Sequence, residues 1–145
     1  MLPEKEPILS YNMLLRSRYS ETDKMGVVYH SRYLEYFEVV RTEFIREAGL
    51  PYSRMENEGV MLPVANVKIR YKQPILYDEK MDARLLIFDE PKVRLVTYYD
   101  IRPVETHQIF VQGMVELVFV DIASRKPVRA PNEFIQKIRS YAELA

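Results

Sequence analysis

Between Val60 and Asp121 the chain runs through four strand-like segments with nothing but turn chemistry between them. These segments are Val60 to Tyr71, Lys80 to Asp89, Lys92 to Arg102 and Gln108 to Asp121. Their separators are Pro74 with Asp78-Glu79, Glu90-Pro91, and Pro103 with Glu105-Thr106-His107, and Ala123-Ser124 closes the last segment. In the second segment Met81, Ala83, Leu85 and Ile87 alternate with Asp82, Arg84 and Leu86, the period of two expected of a sheet with one inner and one outer face. A doubly wound parallel sheet needs a crossover after nearly every strand, so this run excludes it and points to antiparallel pairing.

What precedes the run completes the architecture. Residues Ile8 to Arg18 contain Tyr11-Asn12-Met13-Leu14-Leu15-Arg16, which predicts a first strand, and Ser20-Glu21-Thr22-Asp23 predicts a loop. Tyr33, Tyr36, Phe37, Val40 and Phe44 fall at helical spacing, and the pattern stops at Gly49 and Pro51, so a helix is expected over Ser31 to Ala48. Leu34, Val39 and Ile45 widen its apolar face, which suggests a helix embraced by the sheet. Pro131, Phe134, Ile135 and Ile138 predict a short terminal helix over Pro131 to Tyr141. The expectation is an α+β fold in which a curved antiparallel sheet wraps one long helix. At 145 residues it forms a single domain, 1–145.

Composition narrows the function. Lys plus Arg and Asp plus Glu both count 21, and no basic stripe or nucleic-acid motif is present, so nucleic acid is not an expected partner. With no cysteine, the chain has no disulfide, no thiolate nucleophile and no cysteine-ligated zinc. The two histidines lie far apart without metal-ligand spacing, so no metal and no bound organic cofactor are expected. Met1 to Pro7 carries Glu4, Lys5 and Glu6 and lacks a signal-peptide apolar stretch, and no segment approaches the ~20 apolar residues of a membrane span. A cytoplasmic location is the expectation.

Reactive side chains concentrate in Tyr19-Ser20-Glu21-Thr22-Asp23-Lys24-Met25-Gly26-Val27-Val28-Tyr29-His30, between the first strand and the helix. A helix N-terminus offers unpaired N–H groups and positive dipole charge to a developing oxyanion, and a carboxylate a few residues earlier can fold back toward it. Gly26 supplies the backbone freedom for that reversal. In isolation Asp23 is an ordinary turn carboxylate, His30 a residue closing the first helical turn, and Tyr19 a packing residue. His107, in an apparent hairpin turn, is expected to be a solvated imidazole.

The run from Tyr19 through Ser31-Arg32-Tyr33-Leu34-Glu35-Tyr36-Phe37-Glu38, continuing to Arg41-Thr42-Glu43-Phe44, resembles the signature of the 4-hydroxybenzoyl-CoA thioesterase family. It is most similar to the branch of short-chain acyl-CoA thioesterases linked to the Tol-Pal envelope system. The resemblance implies a hot-dog fold, acyl-CoA hydrolysis, and a homodimer or homotetramer with sites at subunit interfaces. It places the essential aspartate on Asp23, the histidine of the branch on His30 and its tyrosine on Tyr19. Tyr29, Tyr33 and Val64 are the expected pocket residues, and Lys92 and Arg94 stand where relatives place basic residues, although a solvated edge charge explains these two equally well. Asp23 would act as general base on water or as nucleophile. Two other functions share this fold: a non-hydrolytic module binding acyl-CoA or acyl carrier protein, and a hydratase or dehydratase.

Overall fold

The structure, a computed structural model, describes residues 1–144. Strand β1 (Leu9–Arg16) is followed by a single 3-10 turn at Tyr19–Glu21, the long helix α1 (Arg32–Ala48) and the short helix α2 (Tyr52–Asn57). Then come β2 (Val60–Met61), β3 (Val64–Tyr71), β4 (Lys80–Ile87), β5 (Arg94–Pro103), β6 (Val111–Val118), β7 (Val120–Asp121) and the terminal helix α3 (Asn132–Leu144).

Five strands form one antiparallel sheet in the order β1-β4-β5-β6-β3, while β2 and β7 form a separate two-stranded ribbon. The alternation in β4 does what its pattern predicts: Met81, Ala83, Leu85 and Ile87 are buried on the inner face, while Asp82 and Arg84 face outward at intermediate exposure. Helix α1 lies across that inner face and buries Tyr33, Tyr36, Phe37, Val40 and Phe44. Its ring at Phe37 stacks on Tyr99 of β5, centroids 4.5 Å apart, in space left by Gly113 of β6. Gly49 ends the helix in the left-handed region, φ 67°, where glycine carries no Cβ penalty. Helix α3 closes one end of the core, with Phe134 packed edge-on against Phe119 and Tyr141 against Phe44.

Three expectations need correction. Leu34 and Val39 do not widen the buried face of α1, being 40% and 42% exposed, because the sheet covers only one side of the helix. The segments Val60 to Tyr71 and Gln108 to Asp121 each break in two, with β2 and β7 paired to each other outside the main sheet. The break in the first falls at Leu62-Pro63, where proline has no N–H for a ladder. Helix α2 was not anticipated, since its six residues are too few for a periodic signal.

Candidate active site

The chain leaves β1 at one edge of the sheet and reaches α1 through a loop pinned on several sides. Ser17 donates from Oγ to the Leu76 carbonyl at 2.5 Å, Val28 N–H to Ile75 O at 2.8 Å, and Tyr77 N–H to Gly26 O at 2.9 Å. Within the loop, Asp23 N–H donates to Val27 O at 2.9 Å and Gly26 N–H to Asp23 O at 3.0 Å, a tight reversal that Gly26 completes at φ 78°. The carboxylate takes part in the turn: Oδ1 accepts the Met25 N–H at 2.8 Å and lies 3.5 Å from the Val27 nitrogen. No hydrogen bond within the described residues engages Oδ2.

Asp23 lines a cleft of about 330 Å³ together with Tyr29 and His30 just before α1, Tyr33 in its first turn, Tyr71 at the end of β3 and Lys72 just after it. The helix opens without a side-chain cap at Ser31, and its first residue, Arg32, donates N–H to Tyr29 O at 2.9 Å. Among the described residues the N–H groups of His30 and Ser31 meet no protein acceptor, so two orphan donors stand at the mouth of the helix, where His30 lines the cleft. Tyr71 donates from its hydroxyl to the His30 carbonyl at 3.0 Å and packs on Tyr33, centroids 5.6 Å apart. The Tyr33 oxygen accepts the Ile75 N–H at 3.3 Å. Burial pushes the Tyr33 and Tyr71 phenols above the ordinary tyrosine range, so both remain protonated near neutrality. The Tyr29 and His30 rings lie 4.1 Å apart, both exposed toward solvent.

The structure thus gathers Asp23, Tyr29, His30 and Tyr33 into one cleft. Tyr19 stands outside it, 80% exposed and edge-on to Tyr77 at 5.8 Å, in a second depression that Asp23 also borders. Val64, Lys92 and Arg94 are not brought to the cleft of their own chain. Tyr71 pairs through Val111 to Ile101, whereas Val64 pairs with Leu117 and then Leu95, at the other end of the same strands. Seven residues at ~3.3 Å each separate the two ends by roughly 23 Å. Arg94 there is paired with Glu116. Lys72 is the cation that the cleft does hold, and neither it nor Tyr71 carried any local sequence signal. His107 is exposed in its turn at φ 58°. Among the described residues no group of three or more His, Asp or Glu side chains is placed to hold a metal.

An antiparallel sheet curled over one helix, with a carboxylate at the helix mouth, is the hot-dog architecture, and solved structures of that kind superpose closely. A DHNA-CoA thioesterase from Staphylococcus aureus matches with a TM-score of 0.80 at 32% identity, over 93% of this chain and 90% of that one. A Staphylococcus aureus protein solved in complex with CoA matches with a TM-score of 0.83, over 97% of this chain and 89% of that one, but at 16% identity it speaks for the fold alone. The chain belongs to the Thioesterase-like superfamily, whose family model matches residues 17–138. Among curated relatives, the putative acyl-CoA thioesterase YneP of Bacillus subtilis is 37% identical over 117 residues, 81% of this chain and 84% of the relative. The acyl-CoA thioesterase YbgC of Haemophilus influenzae is 29% identical, covering 85% of this chain and 90% of the relative.

Proposed function

We propose that this chain is an acyl-CoA thioester hydrolase that releases a free acid and CoA. The observation that carries the reading is the shared cleft: Asp23, whose Oδ2 has no hydrogen bond among the described residues, and His30, whose N–H is unpaired at the helix mouth, line the same space. The relatives' names as acyl-CoA thioesterases support it. A thioester carbonyl set against those N–H groups is polarised where its negative charge develops, and the loss of one such donor typically slows a reaction by a hundredfold or more. Asp23, its Oδ1 tied to the turn, takes a proton from water through Oδ2 as the water oxygen bonds to the carbonyl carbon. Collapse of the tetrahedral intermediate breaks the C–S bond, and the thiolate of CoA receives the proton. The nucleophilic alternative, Oδ2 attacking to form a mixed anhydride as the CoA thiolate leaves, is distinguished by single turnover in H₂¹⁸O, in which water opening the anhydride at the Asp23 carbonyl places label in Asp23.

Around this centre His30 orients the water or the carboxylate, and Tyr19 flanks Asp23 from the outer depression. Tyr29 and Tyr33 line the acyl group, and Lys72 offers a charge to the CoA phosphates. The chain works as one hot-dog unit over 1–145, in the cytoplasm where CoA esters are made, and as a homodimer or homotetramer. Edge strand β3 supports the assembly: Val64, Val67 and Tyr71 are 52%, 37% and 50% exposed in the single chain. Antiparallel pairing of two β3 edges through their middles brings the partner's Val64 end to the Tyr71 end. Val64, Lys92 and Arg94 would then serve the site of the opposite subunit. Within the superfamily, the Tyr19 to Phe44 motif favours the 4-hydroxybenzoyl-CoA thioesterase family and its branch of short-chain enzymes associated with Tol-Pal.

The test is thiol release from a panel of short, medium, long and aromatic acyl-CoAs and from acyl carrier protein esters. Turnover that persists in both Asp23→Asn and Asp23→Ala rejects the assignment. Ligand-dependent thermal stabilisation without thiol release would instead favour a binding module.

A further inference from the structure

The loop that carries Asp23 is held by a carboxylate for which the proposed reaction has no use. Glu21 is only 5% exposed, two residues before Asp23. Its Oε1 accepts the Arg18 N–H at 2.8 Å and the Tyr36 hydroxyl at 2.8 Å, and its Oε2 accepts Nε and Nη2 of Arg18, each at 3.2 Å. Its main-chain carbonyl accepts the Tyr29 N–H at 2.8 Å. One residue therefore joins the exit of β1, the second turn of α1 and the peptide just before His30.

Burying a carboxylate is expensive unless its oxygens are well paired, as those of Glu21 are. The Arg18 side chain that pairs with it is itself 75% exposed, so this is no buried ion pair retained for core packing. What the arrangement does fix is a distance. Asp23 follows Glu21 by two residues, His30 follows Tyr29 by one, and both ends meet at Glu21, whose carbonyl holds the Tyr29 N–H and whose carboxylate holds Arg18 and Tyr36. Tyr36 in turn packs edge-on against Tyr33 of the cleft, centroids 5.9 Å apart.

We propose that Glu21, clasped by Tyr36 and Arg18, is a positioning residue that sets the Asp23 carboxylate against the His30 end of the helix mouth. This rests on the thioesterase reading for its consequence in rate, but its consequence in geometry stands alone. Misplacing a reacting group by about 1 Å can cost about a hundredfold in rate. Loosening one bond of the clasp should act on kcat, since the groups that hold the substrate are untouched.

Tyr36→Phe removes only the hydroxyl, and Glu21→Gln keeps the size and one acceptor while turning an amide N–H₂ toward the guanidinium. Both variants are measured as full chains by thiol release on an ester that the wild type hydrolyses, by urea unfolding, and by ¹H–¹⁵N spectra of the Asp23, Tyr29 and His30 amides. The expected result is a kcat lowered about tenfold or more with KM within about twofold, a cooperative unfolding transition, and shifted amides confined to the loop and helix mouth. Glu21→Asp, one methylene shorter but still charged, should recover part of the kcat lost in Glu21→Gln. A kcat within about twofold of wild type, or a loss that only tracks the folded fraction, overturns the proposal. Should the wild type release thiol from no ester, the functional reading fails separately. The amides still decide the positioning role, and unmoved Asp23 and His30 signals reject it.

Discussion

The Tyr71 hydroxyl, at the end of β3, donates to the main-chain carbonyl of His30 at 3.0 Å across 41 residues of sequence. It ties the far wall of the cleft to the helix mouth. Tyr71→Phe removes that bond and little else, so stability should fall by about 0.5–1.5 kcal/mol in urea unfolding. Thiol release should slow severalfold as the His30 peptide gains freedom, and unchanged turnover would show that the tie is structural only.

Asp23 holds its turn through Oδ1 and leaves Oδ2 without a hydrogen bond among the described residues, so its turn-holding and its proposed chemistry can be separated. Asparagine keeps an acceptor for the Met25 N–H and alanine does not. Asp23→Asn should unfold within a few tenths of a kcal/mol of wild type, whereas Asp23→Ala should lose about 1 kcal/mol. Both should lose about a hundredfold or more in kcat, the usual contribution of a general base. Equal stability with restored activity in the asparagine variant would refute the division.

Gly113 is where the sheet yields to the helix. A Cβ placed there would lie 2.2 Å from Cε2 and 2.4 Å from Cζ of the Phe37 ring. Gly113→Ala should therefore destabilise the protein by about 1–3 kcal/mol, the range for overpacking. Combining it with Phe37→Leu should recover part of the loss, a coupling read from a double-mutant cycle. Additive effects would mean that the ring moves aside freely.

Glu21 also gives the fold a dependence on acid. Burial pushes its carboxyl up, but the Arg18 N–H, the Tyr36 hydroxyl and the Arg18 guanidinium together outweigh burial and hold it below the ordinary range. A lowered folded-state value means that its stabilisation is complete above the unfolded glutamate value, about 4.3, and is lost as pH falls through the folded one. Arg32, at the head of α1, is the other charge felt there. The stability gap between wild type and Glu21→Gln should be present at neutral pH and close in acid. A gap independent of pH would assign the loss to packing.

The β3 edge should mediate assembly. Val67, paired with Val115 on one side, is 37% exposed on the same face of the edge strand as Ile69. Val67→Lys adds repulsion across a two-fold, so sedimentation should shift from dimer or tetramer to monomer and turnover should drop although Asp23 is intact. A wild-type chain that is monomeric and fully active would refute the shared site.

Sequence made visible whatever is encoded locally. The alternation of β4 and the helical spacing from Tyr33 to Phe44 each lie within one element and took the form expected, whereas of the cluster ending at His30 the cleft gathers Asp23, Tyr29 and His30 but not Tyr19. The second wall of the cleft was invisible because Tyr71 and Lys72 come from a strand end some forty residues on, and only the antiparallel register brings them back. Leu34 and Val39 misled because apolar type says nothing of which side the sheet covers. Glu21 was the overlooked residue: an acidic group three positions after Arg18 at the start of a short turn was a local signal, hidden by the stronger interest of Asp23.

The strand order also bears on how the chain must be made. β1 pairs along its whole length with β4, Leu9 opposite Ile87 and Arg16 opposite Lys80, and is an edge strand. A nascent chain emerging from the ribosome therefore holds β1 unpartnered until β4, at Lys80–Ile87, has been synthesised. Throughout that interval the loop that carries Asp23 hangs from a strand with nothing beside it, which is the stage at which a chaperone would have most to protect.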